Sequence, residues 1–441
     1  MKPYPKYKDS GVEWIGDVPE GWGVAPVRSF AKSGYKTFTD GDWIESPYIR
    51  EQGIRLIQTG NIGIGTYREQ GFRYIDEESF LRFHCTEVEA GDILICRLAD
   101  PVGRACLAPN LGVRMITSVD VCILKPHCEN DARFVVYGLS SPHYLSWMNA
   151  ICRGGTRNRV SRSMLGSICL QKPPLKEQTA IAAYLDRKTT QIDNLISKKQ
   201  KLIELLKEER AAIINQAVTK GLNPDAPMKD SGIEWLGEVP EHWEVKRLKY
   251  IASINEENLS EKTDANIEIK YIDIGNVCLG SIVNEPVTMY FKDAPSRARR
   301  IVRKGDTIIS TVRTYLKAIT YISDVPQNLI VSTGFAVIRP GDDFDKKFIS
   351  FLLTSEMIVD TICSLSVGVS YPAINASDIA NLIIWFPPDK TEQAAIVQHV
   401  NKTTTKIDQT TSKIEKQIGL LKEYRTALIS EVVTGKIDVR T

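Results

Sequence analysis

Between Pro174 and Gly221 the chain contains neither glycine nor proline, and no other feature constrains its fold as severely. The stretch opens PPLKEQTAIAAYLDRK, continues through QIDNLISKKQKLIELLKEERAAIINQAVTK and stops at the glycine. Proline is tolerated in a helix's first turn, where its missing N–H costs no hydrogen bond, and glycine suits a left-handed C-terminal cap. Ile181, Leu185, Lys188, Ile192, Leu195, Lys199, Leu202, Leu206, Glu209 and Ile213 fall at alternating four- and three-residue steps, a heptad seam with polar interruptions. At 1.5 Å per residue, about 45 residues make a rod of roughly 65 Å. Such a rod, apolar along one stripe, requires a partner.

The same chain supplies one. Residues 387–435 read PPDKTEQAAIVQHVNKTTTKIDQTTSKIEKQIGLLKEYRTALISEVVTG, and a constant offset of 215 superimposes them on the first stretch. Glu177-Gln178 matches Glu392-Gln393, Ile192-Asp193 matches Ile407-Asp408, and Leu206 matches Leu421. Ile396, Val400, Ile407, Ile414, Leu421 and Leu428 keep the phase of the first seam, so two matched helices are expected to pack together. Asp389 followed by Glu392 resembles a capping box. Threonines at 189–190 and 403–405 are weak helix formers, and either rod could break there.

The repetition extends further. KDSGVEWIGDVPEGWGV at 8–24 returns as KDSGIEWLGEVPEHWEV at 229–245, both tryptophans included. A long-period repeat decides architecture before any local reading does. After each motif comes a body rich in short β-like segments bounded by Gly, Pro, Asn and Asp. LIQTGNIGIG (56–65) is matched by YIDIGNVCLG (271–280), GDILICR (91–97) by GDTIISTVR (305–313), and SVDVCILKP (118–126) by STGFAVIRP (332–340). Elsewhere the bodies diverge, as in FRYIDEESFLRFHC (72–85) against PVTMYFKDAPSRARR (286–300). Equivalent frames with different surfaces suit two recognition modules for different ligands. The expected fold is α+β: strand-rich globular domains at 1–174 and 222–386, long helices at 175–221 and 387–435 forming an antiparallel coiled coil, and a tail at 436–441. A KDSG motif follows the first rod, whereas the second rod is followed only by GKIDVRT. The N-terminal motif could fill that vacant place and make the molecule quasi-circular.

Of the 441 residues 43% are hydrophobic and 25% charged, which suffices for two or three cores. No run approaches the ~18 apolar residues of a membrane span, so a cytoplasmic chain is expected, without a membrane partner. Nine scattered cysteines without a CxxC pair argue for reduced thiols. Cys122, His127 and Cys128 lack a fourth neighbouring ligand and read as packing, so no metal site is expected. No phosphate-binding loop and no H-E-x-x-H motif is present, and neither Pro-Pro pair has the flanking residues of an adenine-methylating site. Trp385-Phe386-Pro387-Pro388 reads as a strand end leading into a helix.

Net charge is only +2, so a nucleic-acid surface has to come from local clustering. Arg153, Thr156, Arg157, Arg159 and Arg162 lie within RGGTRNRVSRS; Arg297, Arg299, Arg300 and Arg303 form a second cluster; Arg97, Arg104, Arg313 and Lys317 flank the GD-containing strands. Arginines neutralise phosphates and can read guanine edges bidentately. In the second body VSYPAI (369–374) replaces GTRNRV, making Ser370, Tyr371 and Asn375 its polar candidates for DNA contact. The charged faces of the rods, Lys198 to Lys201 and Lys207 to Arg210, read as solvated coiled-coil surface or as docking sites for a protein.

The duplicated KDSG-x-EW-x-G-x-VP-x-x-W motif, the PP-x-x-x-EQ-x-x-I helix start and the alternation of variable body with long helix resemble specificity subunits of type I restriction–modification systems. The resemblance covers essentially the whole chain. It implies two target recognition domains separated by an antiparallel helical pair, each reading one half of a split, asymmetric site in double-stranded DNA. The helices would measure the unread spacer. It also implies two modification subunits that methylate adenine N6 with S-adenosylmethionine, and restriction subunits that use ATP and Mg to cleave DNA. This chain would itself hold no cofactor and catalyse nothing. Two other readings stand beside it: a coiled-coil protein adaptor with duplicated globular ends, and a fused methyltransferase. The adaptor leaves the divergence of the bodies unexplained, and no cofactor-binding domain fits between the repeats.

Overall fold

A computed structural model describes residues 2–98, 100–152, 158–324 and 326–440. The chain forms two compact units, Met1–Lys199 with Lys416–Thr441, and Gln200–Glu415. The long helices, Leu175–Lys220 and Lys390–Val433, each give one half to each unit. Neither helix breaks at its threonines. Thr189 and Thr404 are buried in the seam, and their hydroxyls donate to the carbonyls of Leu185 and Val400, both at 2.8 Å. A hydroxyl bonded back along its own helix brings no unsatisfied polar group into an apolar interface.

One half of the expected seam is displaced by a residue. Leu185, Ile192 and Leu206 face inward, and Ile181 is buried, but Leu195 and Leu202 are 43% and 44% exposed. Thr189, Ile196, Ile203 and Arg210 occupy the alternate inward positions. Leu195-Ile196 and Leu202-Ile203 are adjacent apolar pairs, so hydrophobicity alone cannot select the inward member. In the second helix Ile396, Val400, Ile407, Ile414 and Leu428 are buried, and Leu421 packs against the first unit's core. Within the first unit Asp193 pairs with Arg425 at 2.9 Å and Lys199 bonds Gln417 at 2.6 Å. Partner numbers fall as helix numbers rise, so the helices run antiparallel. Arg210 repeats the first pair on Asp408 at 3.1 Å within the second unit.

The Glu-Gln dipeptide at each helix start ties the rod to its body. Gln178 and Gln393 are wholly buried. Their amide nitrogens donate to Pro173 and Pro387 carbonyls, both at 2.8 Å. Their amide oxygens accept from the backbone N–H of Asp131 (3.0 Å) and Asp345 (2.7 Å). Those aspartates cap the body helices Ala132–Leu139 and Lys346–Leu353. Glu392 does not close the expected capping box. Its carboxylate instead accepts from Trp243 Nε1 at 3.0 Å and meets His242 Nε2 at 2.8 Å. In the first unit Glu177 takes the Tyr4 hydroxyl and lies 3.8 Å from Arg440.

Both tryptophan motifs are hairpins: Tyr7–Asp9 pairs with Asp17–Pro19, and Met228–Asp230 with Glu238–Pro240. Asp9 and Asp230 accept from the N–H of Gly11 and Gly232, both at 2.9 Å, and these glycines sit at φ 70° and 72°, where a side chain would be strained. Gly221 (φ 71°) caps the first long helix against Trp243, and Gly435 (φ 77°) caps the second against Trp22. Within the first unit the Asp438 N–H donates to the Lys2 carbonyl at 2.9 Å in a backbone bridge, and the Tyr7 hydroxyl donates to the Gly435 carbonyl at 3.0 Å. The N-terminal motif thus fills the place after the second helix.

Among the described residues each body holds two sheets of three or four strands beside smaller two-stranded pairings. In the first unit one runs in the order Phe38–Asp40, Val121–Leu124, Ile93–Cys96, Ala105–Leu107; its counterpart is Ala252–Ile254, Phe335–Pro340, Thr307–Ser310, Ile319–Tyr321. The other sheet pairs Ile54–Ile57 in parallel with Met115–Thr117, and Glu268–Ile272 with Leu329–Ser332. The recurring Gly-Asp is structural. Asp306 is buried and takes Arg339 through both oxygens at 2.9 and 2.8 Å, which raises the arginine's pKa. Asp92 takes Lys125 at 3.0 Å. Among the described residues no helix is long and apolar enough to cross a membrane.

Candidate nucleic-acid interface

In each body two variable loops meet at an equivalent backbone bridge. In the first, Leu98 bridges Arg159, and Val160 N–H donates to the Arg97 carbonyl at 3.0 Å. In the second, Val312 bridges Ala373, and Ile374 N–H donates to the Thr311 carbonyl at 2.9 Å. The residues after the Gly-Asp strand and those just before the short helix Arg162–Ser167 or Ala376–Ala380 are therefore held side by side by main-chain bonds. Bonds of that kind do not depend on side chains, which leaves the loops free to vary.

The first unit's face is basic and partly neutralised. Arg159, 54% exposed, pairs with Asp120 at 2.7 Å, and exposed Arg162 reaches Asp40 at 3.7 Å. Arg153, Thr156 and Arg157 lie outside the described residues. Arg97 and Arg104 turn inward and leave the exposed set. Arg97 pairs with Asp40 at 3.0 Å and donates to the Val119 carbonyl at 2.7 Å. Arg104 donates to the carbonyls of Ile62, Pro101 and Thr59 at 2.7, 2.9 and 2.9 Å. Both guanidinia staple the loop frame from beneath, because several buried carbonyls there need donors. Cys122 is likewise buried, its Sγ 3.2 Å from Asp40 Oδ1; burial, then that carboxylate, pushes its pKa up.

On the second unit Arg297, Arg313, Lys317, Ser370 and Tyr371 are exposed on loops joined by short bonds. Arg297 pairs with Asp273 at 2.7 Å, and its carbonyl accepts from Thr333 N–H at 2.8 Å. Thr311 N–H donates to the Gly334 carbonyl at 2.8 Å, and Arg313 N–H to the Pro372 carbonyl at 2.7 Å. Arg313 and Lys317 bracket the turn Thr314–Leu316 with φ of 52° and 51°. Left-handed backbone costs a non-glycine residue roughly 1–2 kcal/mol, a strain that clusters at functional sites. Asn375 is exposed but caps the short helix Ala376–Ala380. Arg299, Arg300 and Arg303 have other partners. Arg299 lies over the Phe291 ring at 4.8 Å, Arg300 bonds Asn258 at 2.9 Å, and Arg303 pairs with Glu257. Burial lowers the Arg300 pKa.

Exposed apolar residues on the same loops have no signal in charge. Val367 is 81% exposed, and Val369, Tyr315 and Leu316 are also exposed. The run LSVGVSYP (365–372) carries no charge, and its alternating apolar residues read equally well as a strand.

The profile of the type I restriction modification DNA specificity domain matches residues 42–205 and 240–419. The type I restriction enzyme MjaVIII specificity subunit of Methanocaldococcus jannaschii is 27% identical over 302 residues, 67% of this chain and 68% of that protein. The EcoKI specificity subunit of Escherichia coli is 20% identical over 96% of this chain and 91% of its own length. Among solved structures, a chain from a study of complex assembly and conformational transition of the type I R-M system has a TM-score of 0.70 at 15% identity, covering 95% of this chain and 99% of that one. At that identity the likeness is one of fold.

Proposed function

This chain belongs to the type I restriction modification DNA specificity family, and we propose that it recognises a split, asymmetric site in double-stranded DNA, one half through the loop surface of each unit. The observation that carries the reading is the contrast between frame and loops. The Gln178 and Gln393 ties, the Gly-Asp ion pairs and the loop bridges recur in both units, while the side chains displayed on the bridged loops do not. A protein adaptor has no need to hold two different surfaces on one repeated frame. Two dissimilar half-sites require it.

The chemistry then belongs to partners. Two modification subunits would supply adenine N6 methylation from S-adenosylmethionine, and restriction subunits would supply ATP- and Mg-dependent cleavage. This chain contributes binding, orientation and the separation of the half-sites. The test is the salt dependence of DNA binding by the purified chain with its modification subunit. Affinity is expected to fall by on the order of 10³-fold between 50 and 200 mM salt, as release of counterions from several phosphates requires. DNA affinity that is undetectable or unresponsive to salt supports the adaptor instead.

A further inference from the structure

Arg313 on the second unit is held in a manner the fold does not require. Its φ of 52° suits glycine, yet an arginine occupies it. Its backbone is pinned from both sides, the N–H donating to the Pro372 carbonyl at 2.7 Å and the carbonyl accepting from Leu316 N–H at 2.9 Å. Its guanidinium lies 5.0 Å from the centre of the Tyr371 ring, and that tyrosine is 66% exposed. Neighbouring Arg297 and Lys317 meet Asp273 and Asp360, whereas no carboxylate among the described residues reaches Arg313. The arginines that build the frame end otherwise: Arg97, Arg104 and Arg339 finish on buried carbonyls or carboxylates.

We propose that Arg313, braced by Tyr371, reads a guanine in the half-site of the second unit; this rests on the DNA-recognition function argued above. A planar guanidinium over an aromatic face keeps donors available in a fixed fork, matched to O6 and N7 of guanine in the major groove. Holding it there beforehand removes rotamer freedom that binding would otherwise have to remove. Exposed Val367 and Val369 on the adjoining loop carry no charge, so this part of the surface is built for base edges more than for phosphates. Tyr371 acts as a positioning residue.

The test uses the full chain co-expressed with its modification subunits, reading the methylated motif genome-wide. The wild-type motif should require guanine at one position of one half. Arg313→Gly and Arg313→Lys should each relax that position, discrimination against other bases falling roughly 5- to 150-fold, while the other half is unchanged. Tyr371→Phe should keep the requirement and Tyr371→Ala should weaken it. Glycine adopts the left-handed conformation without strain, so Arg313→Gly should melt no lower than wild type, which separates reading from folding. An unaltered motif in Arg313→Gly, or relaxation of both halves together, overturns the proposal. A wild-type chain that directs no split motif overturns the underlying reading, and this inference with it.

Discussion

Asp306 and Asp193 both bond an arginine, and their surroundings make the two pairs unequal. The Asp306 side chain is 2% exposed and that of Arg339 15%. Removing Asp306 takes away the one buried carboxylate on Arg339 and leaves it the longer contacts with Glu256 and Glu257 at 3.3 and 3.5 Å, whereas an exposed pair exchanges one solvated contact for another. Asp306→Ala is therefore expected to lose about 3 kcal/mol of stability. Asp193→Ala, opposite Arg425 on the solvated flank of the helices, should lose about 0.5 kcal/mol or less. Urea unfolding of the two variants measures the difference; equal losses would show that Asp306 is not the buried anchor its geometry makes it. The same distinction separates the arginines. Charge clustering placed Arg97, Arg104 and Arg159 in one class, but sequence does not reveal which side chain turns under its own strand. Arg97 and Arg104 lie where buried carbonyls need donors, and Arg159 lies at a bridge with its side chain in water.

At the scale of elements, the ties between rod and body matter more than the rods' own propensity. Gln393→Ala would leave the Asp345 N–H and the Pro387 carbonyl without partners in a buried place, an expected loss of about 2–4 kcal/mol. Hydrogen exchange at the Asp345 amide should accelerate in parallel; an unchanged rate would mean another acceptor replaces the glutamine. The existence and phase offset of both helices were legible, the first because an interval without glycine or proline, bounded by both, admits little else, and the second, which contains Gly419, because it repeats the first. The inward positions were legible only in part. Leu195-Ile196 and Leu202-Ile203 offer the seam two apolar residues each, and packing against the partner helix makes the choice. Glu392 had the spacing of a capping box, but a tryptophan N–H more than a hundred residues away claimed its carboxylate. Long-range partners of that kind leave no local trace. The exposed valines of the second unit's loop were missed for a related reason: exposure of an apolar residue is a tertiary property.

At the scale of the whole molecule, the repeat is the design. Each unit takes half of both long helices, so the helices join the two loop-bearing bodies. Adding one heptad to both helices, after Lys199 and before Lys416, adds about 10 Å of helix, close to three base pairs of B-DNA. The methylated motif should keep both half-sites and gain about three unread base pairs between them; an unchanged spacer would show that the helices do not set it. The claim beneath all of these is that this chain chooses the DNA sequence on which its partners act. The most direct measurement is single-molecule sequencing for N6-methyladenine in cells carrying this chain with its modification subunit, against cells from which this chain alone is deleted. A split motif present in the first and missing from the second is the predicted result. Identical methylation in both would contradict the account.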